Sequence, residues 1–149
     1  MANRLSDREL AAWRGFLRTH TMLWREFEAH LEARHGLTFG AYDVLVQLDE
    51  APGSRLRMTA LADGVLMTSG GFTRLADRLV REGLVARERC VRDGRGFELV
   101  LTPAGRVRLD QARETHRADI RERFLAHADA GDQARLAALW GRSQETGSE

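Results

Sequence analysis

The 149-residue sequence holds one cysteine, two prolines, one tyrosine and no lysine. A single thiol, Cys90, excludes an intrachain disulfide. The longest candidate for a bilayer span, Val44-Leu45-Val46, is broken at Gln47, far short of the ~20 apolar residues a span requires, so no membrane partner is expected. Met1 to Leu10 has neither the basic n-region nor the apolar h-region of a secretory signal, and a cytoplasmic location is expected. There is no Gly-rich phosphate loop and no nucleophile with a base at recognisable spacing, so neither an enzyme nor a cofactor is expected. His30 and His35 lie five apart and do not share a helical face, while Glu26 with His30 supplies only two ligands, so no metal is expected.

What is present is a chain able to fold. Hydrophobic residues make up 43% and charged residues 30%, enough apolar side chain for one compact domain over residues 1–149. The 23 arginines face 22 acids, and the net charge of +1 hides any local asymmetry. From Ser6 to His35 the residues Leu10, Trp13, Leu17, His20, Trp24, Phe27 and Leu31 alternate spacings of three and four, the stripe of a long helix. Phe16, Leu23 and His30 widen that stripe, so the helix is expected to meet more than one neighbour. Gly36 ends it, and Thr38 caps a second helix through about Glu50, stopped by Ala51-Pro52-Gly53.

Leu56-Arg57-Met58 reads as a short edge strand, with Thr59 capping a short helix that carries Leu61, Ala62 and Val65. After a break at Leu66-Met67, Thr68 caps a helix with Phe72, Leu75, Ala76 and Leu79 on one face and Ser69, Thr73, Arg74, Asp77, Arg78 and Arg81 on the other. Beyond Gly83 the period becomes two, over Leu84 to Val91 and Phe97 to Leu101, around an Asp93-Gly94 turn. Thr102-Pro103 opens a long helix striped by Leu109, Ala112, His116, Ile120, Phe124 and His127. A last short helix spans about Ala134 to Trp140, and Ser143 to Glu149 reads as a frayed tail. The fold expected is mainly α with a small β-hairpin wing, in the order of a winged helix-turn-helix. From Ser54 to Gly96 nine Arg face five acids, the local cationic excess that DNA phosphates require.

The residues also carry a resemblance. Leu37-Thr38 with Tyr42 and Val44-Leu45, Leu61-Ala62, Thr73-Arg74-Leu75 with Asp77-Arg78-Leu79, Gly83-Leu84-Val85, Asp93 and Arg95, and Leu101-Thr102 with Gly105 follow one another at specific spacing. In that order they resemble the MarR-type (multiple antibiotic resistance regulator) transcription factors over roughly Leu37 to Ala112. The resemblance implies a homodimer held by helices over 6–35 and 103–143, with a winged helix-turn-helix lobe over 38–102. It also implies double-stranded DNA with a pseudo-palindromic operator as the partner, and often a small phenolic or aromatic effector. The expected function is a dimeric, sequence-specific DNA-binding transcription regulator, a repressor released by such a ligand. An architectural DNA-binding protein without effector, or a redox-responsive regulator acting through Cys90, are the alternatives.

The expected DNA-binding residues are Thr68, Ser69, Gly70, Gly71, Thr73, Arg74, Arg78, Arg81, Asp93 and Arg95. Thr73 and Arg74 face the major groove, where Arg can bond guanine O6 and N7, while Arg78 and Arg81 meet phosphate. Arg95 at the hairpin tip enters a narrow minor groove, oriented by Asp93, with Gly94 where the family usually carries a second Arg. Gly70-Gly71 in the first helical turn should each cost about 1 kcal/mol relative to Ala, explained by close approach to DNA or by flexibility that tightens on binding. Trp13, His20, Trp24 and Tyr42 are the expected ligand-binding residues between the first two helices, with core packing as the other reading. Cys90 sits on a hairpin strand among arginines, either redox-reactive or packed and inert.

Overall fold

The computed structural model describes residues 4–64, 69–90 and 94–145. The chain forms two compact units, Met1–Thr115 and His116–Glu149. No helix among the described residues is long and apolar enough to cross a membrane.

The first unit opens with α1 (Asp7–His35). Its start is fixed by a capping box in which Ser6 Oγ accepts from the Glu9 amide at 3.3 Å and the Glu9 carboxylate accepts from the Ser6 amide at 2.7 Å. Gly36 ends it in the left-handed region at φ 65°, its amide donating to the Glu32 carbonyl. Helix α2 (Phe39–Glu50) begins where Thr38 Oγ1 accepts from the Ala41 amide. Pro52–Ser54 then forms one tight helical turn before β1 (Arg55–Arg57) and α3 (Met58–Gly64). Helix α4 (Ser69–Arg81) leads into β2 (Val85–Arg89) and β3 (Phe97–Leu101), and α5 (Pro103–Asp119) follows. The sheet is antiparallel in the order β1-β3-β2, with Arg55 opposite Val100 and Val85 opposite Leu101.

The core gathers one face from every element of this unit: Leu31 of α1, Leu45 and Leu48 of α2, Leu61 of α3, Phe72 and Leu79 of α4, Leu99 of β3 and Leu109 of α5. This three-helix lobe with a hairpin beside α4 is a winged helix-turn-helix, as the order of elements predicts. Most of the α1 stripe lies outside that core. Only Phe27 and Leu31 are buried, whereas Trp13 is 54% and Leu17 42% exposed.

Several local expectations shift. The edge strand is Arg55–Arg57 rather than Leu56 to Met58, because pairing from Val100 to Glu98 starts it one residue earlier. Met58 therefore begins α3 and packs against the core, which leaves Thr59 inside the first turn rather than at the cap. Leu84 precedes its expected strand: its amide is drawn back to the Leu79 carbonyl at 3.0 Å to close α4. Cys90 has left the strand too, although its amide still reaches the Gly96 carbonyl at 3.2 Å. Val65 to Thr68, with the expected break and cap, and Val91 to Asp93 lie outside the described residues.

In the second unit the long stripe does not persist. After Asp119 a π-type turn, Ile120–Phe124, and a tight turn, Leu125–His127, displace Ile120, Phe124 and His127 from the register of a continuous helix. Ala128 is extended, and α6 (Ala130–Glu145) starts afresh. It is longer than expected because Asp129 caps it, Oδ1 accepting from the Asp132 amide at 2.8 Å. Ser143 to Glu145 are accordingly helical rather than frayed, and residues 146–149 lie outside the described residues.

Glycine is required where α5 starts. Thr102 Oγ1 accepts from the Gly105 amide at 3.0 Å and donates to the Gly83 carbonyl at 2.6 Å. A Cβ on Gly105 would stand 2.0 Å from the Leu84 carbonyl oxygen and 2.8 Å from Leu101 Cδ1. Gly105→Ala is therefore expected to destabilise the protein by about 3 kcal/mol through a forced backbone shift. Gly70, with open space around its Cβ position, is expected to gain about 0.5–1 kcal/mol on substitution by Ala. Thermal melting of the two variants checks both signs.

Candidate nucleic-acid interface

Helix α4 separates its two faces cleanly. Phe72, Leu75, Ala76 and Leu79 are buried, while Gly70, Thr73, Arg74, Asp77 and Arg81 are exposed on the other side. Arg74 and Arg81 make no ion pair with a described residue. Arg78 is committed inside the chain. Its Nε donates to Glu82 at 2.8 Å and its terminal nitrogen to the Gly36 carbonyl at 3.2 Å, and the Glu82 bond and charge raise its pKa. Gly71 is half-buried beside exposed Gly70. Ser69 begins the helix, and its side chain, like Thr68, lies outside what is described.

The wing stands beside this face. Arg87 donates to Asp77 Oδ1 at 2.6 Å, tying β2 to the outer side of α4. Arg55 bridges Glu88 at 3.2 Å and Glu98 at 3.4 Å, holding the other side of the hairpin to the edge strand. Gly94 and Gly96 have φ of 62° and 79°, so the tip turns through backbone that favours glycine, and Arg95 between them is exposed. Asp93, expected to orient Arg95, lies outside the described residues. Cys90 is buried with Sγ donating to Glu98 Oε1 at 3.3 Å, the packed thiol of its two readings.

Residues that sequence reading did not single out set the orientation of this face. Asp49, at the end of α2, accepts from Arg113 at 2.6 Å and also from Arg106, which in turn reaches Ser54 Oγ at 2.7 Å. The Arg113 hydrogen bond, reinforced by the charges of both arginines, holds the Asp49 carboxyl below the usual carboxylate range. Arg108 donates to the His35 carbonyl at 2.7 Å, and His35 Nε2 lies 2.7 Å from Thr115 Oγ1. These partners are 52 to 80 residues apart in the chain, so no local pattern could reveal them.

The four expected ligand residues belong to one aromatic ladder. Rings follow at 5.9 Å from Trp13 to Phe16, 6.1 Å to His20, 5.8 Å to Trp24, 4.6 Å to Phe39 on α2 and 6.2 Å to Tyr42. An open depression of about 510 Å³ runs along α1 instead, lined by Leu17, Arg18, Thr21, Met22, Arg25 and Glu26, none of them an expected ligand residue. Among the described residues no group of three or more His, Cys, Asp or Glu is placed to hold a metal ion.

The lobe just described coincides with a known profile: that of the MarR family matches residues 35–96. The whole chain is similar to the structure of AbsC, a MarR family transcriptional regulator from Streptomyces coelicolor, at 30% identity and TM-score 0.88, covering 99% of this chain and 100% of that one. The chain belongs to the MarR family. It is a transcriptional regulator of that family, not an enzyme. It is also similar to Sco3205, a MarR family transcriptional regulator from Streptomyces coelicolor whose structure is in complex with DNA, at 28% identity and TM-score 0.91, covering 100% of this chain and 93% of that one. The HTH-type transcriptional repressor YetL of Bacillus subtilis (strain 168) is 37% identical over 82 residues, 55% of this chain. That match spans 49% of YetL, about half of its length.

The end of α1 gives this MarR protein a dependence on pH. Burial, then the charges of Arg108 and Arg34, lower the His35 pKa below its ordinary 6.5. As pH falls through about 6.5 the unfolded chain takes up a proton that folded His35 resists, so stability drops with acidification. The melting temperature is expected to fall between pH 7.5 and pH 5.5, and His35→Gln to flatten that fall. Asp49 acts in a separate window, its contribution persisting until pH drops through a folded pKa below 3.8.

Proposed function

We propose that this MarR regulator works as a cytoplasmic homodimer that reads a pseudo-palindromic operator in double-stranded DNA and represses transcription until a small phenolic or aromatic ligand releases it. The observation that carries the reading is the outer face of α4, where Arg74 and Arg81 are exposed and make no ion pair with a described residue, beside a wing ending in Arg95. A helix of this kind fits the major groove, and an arginine tip fits a narrow minor groove. In this reading Ser69, Gly70, Gly71, Thr73 and Arg74 approach the bases, Arg81 meets phosphate, and Thr68 and Asp93 belong to the same surface. Arg78 serves at one remove, tying α4 to the end of α1. The likeness to Sco3205, solved with DNA, supports the docking, and the likeness to the repressor YetL supports the direction of regulation.

The dimer is supported by the uncovered stripe of α1. Trp13, Phe16, Leu17 and Trp24 are all more than a third exposed, and a second copy would bury them. Helices over 6–35 and 103–143 are the proposed assembly elements, with 38–102 as the DNA-reading lobe. The ladder from Trp13 through His20 and Trp24 to Tyr42 offers flat rings and one imidazole to an aromatic effector.

Selection of duplexes from a random-sequence pool, followed by fluorescence anisotropy, tests the reading. Arg95→Ala is expected to weaken all duplexes about tenfold or more and to flatten the salt dependence by about one unit of log–log slope. Arg74→Ala should cost about 1–3 kcal/mol on the selected duplex and relax preference at one base pair of each half-site. Unchanged affinity in both variants would sink the docking. Sedimentation should give twice the 16.8 kDa chain mass, and simple phenols should lower the anisotropy of the bound duplex.

A further inference from the structure

The wing carries an exposed aromatic ring that no role above uses. Phe97 opens β3 and is 46% exposed, although Leu99 and Leu101 on the same strand are buried. Residues two apart on a strand share a face, so Phe97 prolongs the core row beyond the cover of the helices. Across the hairpin, Val85 stands opposite Leu101, Arg87 opposite Leu99 and Arg89 opposite Phe97. Directly opposed residues lie on one face, so Arg87, Arg89 and Phe97 look the same way. That way is toward α4, because Arg87 donates to Asp77 Oδ1 at 2.6 Å. Asp77 lies one helical turn from Thr73 and Arg74 on the exposed side of α4. The face that reads bases therefore continues through Asp77 and Arg87 to Arg89 and Phe97.

This end of the wing combines charge with an apolar surface. Arg89 is exposed and makes no ion pair with a described residue, and Arg95 is exposed two residues before Phe97. Cations flanking a bare ring suit a polyanion that also offers apolar edges. Duplex DNA has that composition, its deoxyribose C–H edges lying between phosphates along the minor groove, where apolar side chains commonly pack or wedge. We infer that Phe97 is a DNA-contacting residue of the wing, its ring packed on deoxyribose at the edge of the minor groove, with Arg89 opposite it on the flanking phosphate.

The inference rests on the DNA-binding reading above, and the two separate by experiment. The probe is a fluorescein-labelled duplex selected from a random-sequence pool by the wild-type protein, titrated by anisotropy over a salt series. Phe97→Thr, which keeps a strand-forming residue at an exposed position, should weaken binding about tenfold with the slope of log affinity against log salt unchanged. Phe97→Leu should retain most of the affinity, since it keeps the apolar contact. Arg89→Gln should flatten that slope by about one. Melting curves identify any variant that loses its fold, in which case Phe97→Leu and Phe97→Ser are compared instead. Wild-type affinity in both the Thr and Ser variants, or a loss that appears as a flattened slope, overturns the inference while leaving the DNA reading intact. Failure of the wild-type protein to select any duplex overturns both.

Discussion

The close approach of Gly105 to the Leu84 carbonyl is the constraint on which the proposed reading surface depends. Four elements meet within a few residues there. The Leu84 amide closes α4 on the Leu79 carbonyl, its carbonyl accepts from the Thr102 amide at 3.2 Å, and Thr102 Oγ1 holds the Gly83 carbonyl while capping α5. The end of the helix that presents Arg74, both strands of the wing and the first turn of α5 are thereby fixed to one another by backbone bonds and the Thr102 hydroxyl. These bonds are few, and each is worth only about 1 kcal/mol net. Their value is geometric. A wing that pivoted at Leu84 would carry its tip away from α4.

Electrostatics divides the arginines by task. Arg55, Arg78, Arg87, Arg106, Arg108 and Arg113 all bond to carboxylates or backbone carbonyls within the chain. Exposed pairs of this kind contribute about 0–1 kcal/mol each, so they do not account for stability. What they provide is direction, because a planar guanidinium can span two acceptors on different elements. Arg55 does so between β2 and β3, and Arg106 does so between Asp49 and Ser54. Arg74, Arg81 and Arg89 make no ion pair with a described residue and stand together on α4 and the hairpin. A sequence of net charge +1 can thus still present a local cationic surface.

Much of this was legible from the residues. Capping at Thr38 and Thr102, the glycine stop at Gly36 and the change of period after Gly83 locate most of the helices and the hairpin, because each is governed by neighbours within four residues. Boundaries set by distant partners were not legible. β1 begins at Arg55 because Val100 lies opposite it, and Arg78 reaches the Gly36 carbonyl because α1 ends beside α4. The π-type turn after Asp119 carries no glycine or proline to mark it, so the sequence alone shows a regular stripe through Ile120 to His127. Asp129, three residues before Asp132, is a cap of the kind local sequence does mark. At the candidate site the outward row of α4 followed from periodicity alone, whereas Phe97 was hidden in a strand whose alternation assigns it to the core.

The aromatic ladder shows how assembly and reading can share one set of contacts. Trp13, Phe16 and Trp24 lie on the uncovered part of α1, but the ladder does not stop there: Trp24 meets Phe39 edge-on at 4.6 Å, and Phe39 stacks on Tyr42. Phe39 and Tyr42 in turn pack against the core that holds Leu75 and Leu79 of α4. Close-packed interiors transmit displacement, since neighbouring side chains have little free volume to absorb it. A flat molecule inserted between Trp24 and Phe39 would have to part the two rings, and Phe39 belongs to α2. The proposed effector needs no contact with the DNA-reading face, because its differential affinity for two packings of the ladder is enough to bias the lobe. The same rings that would be buried against a second copy are thus the ones best placed to couple a ligand to the orientation of α4.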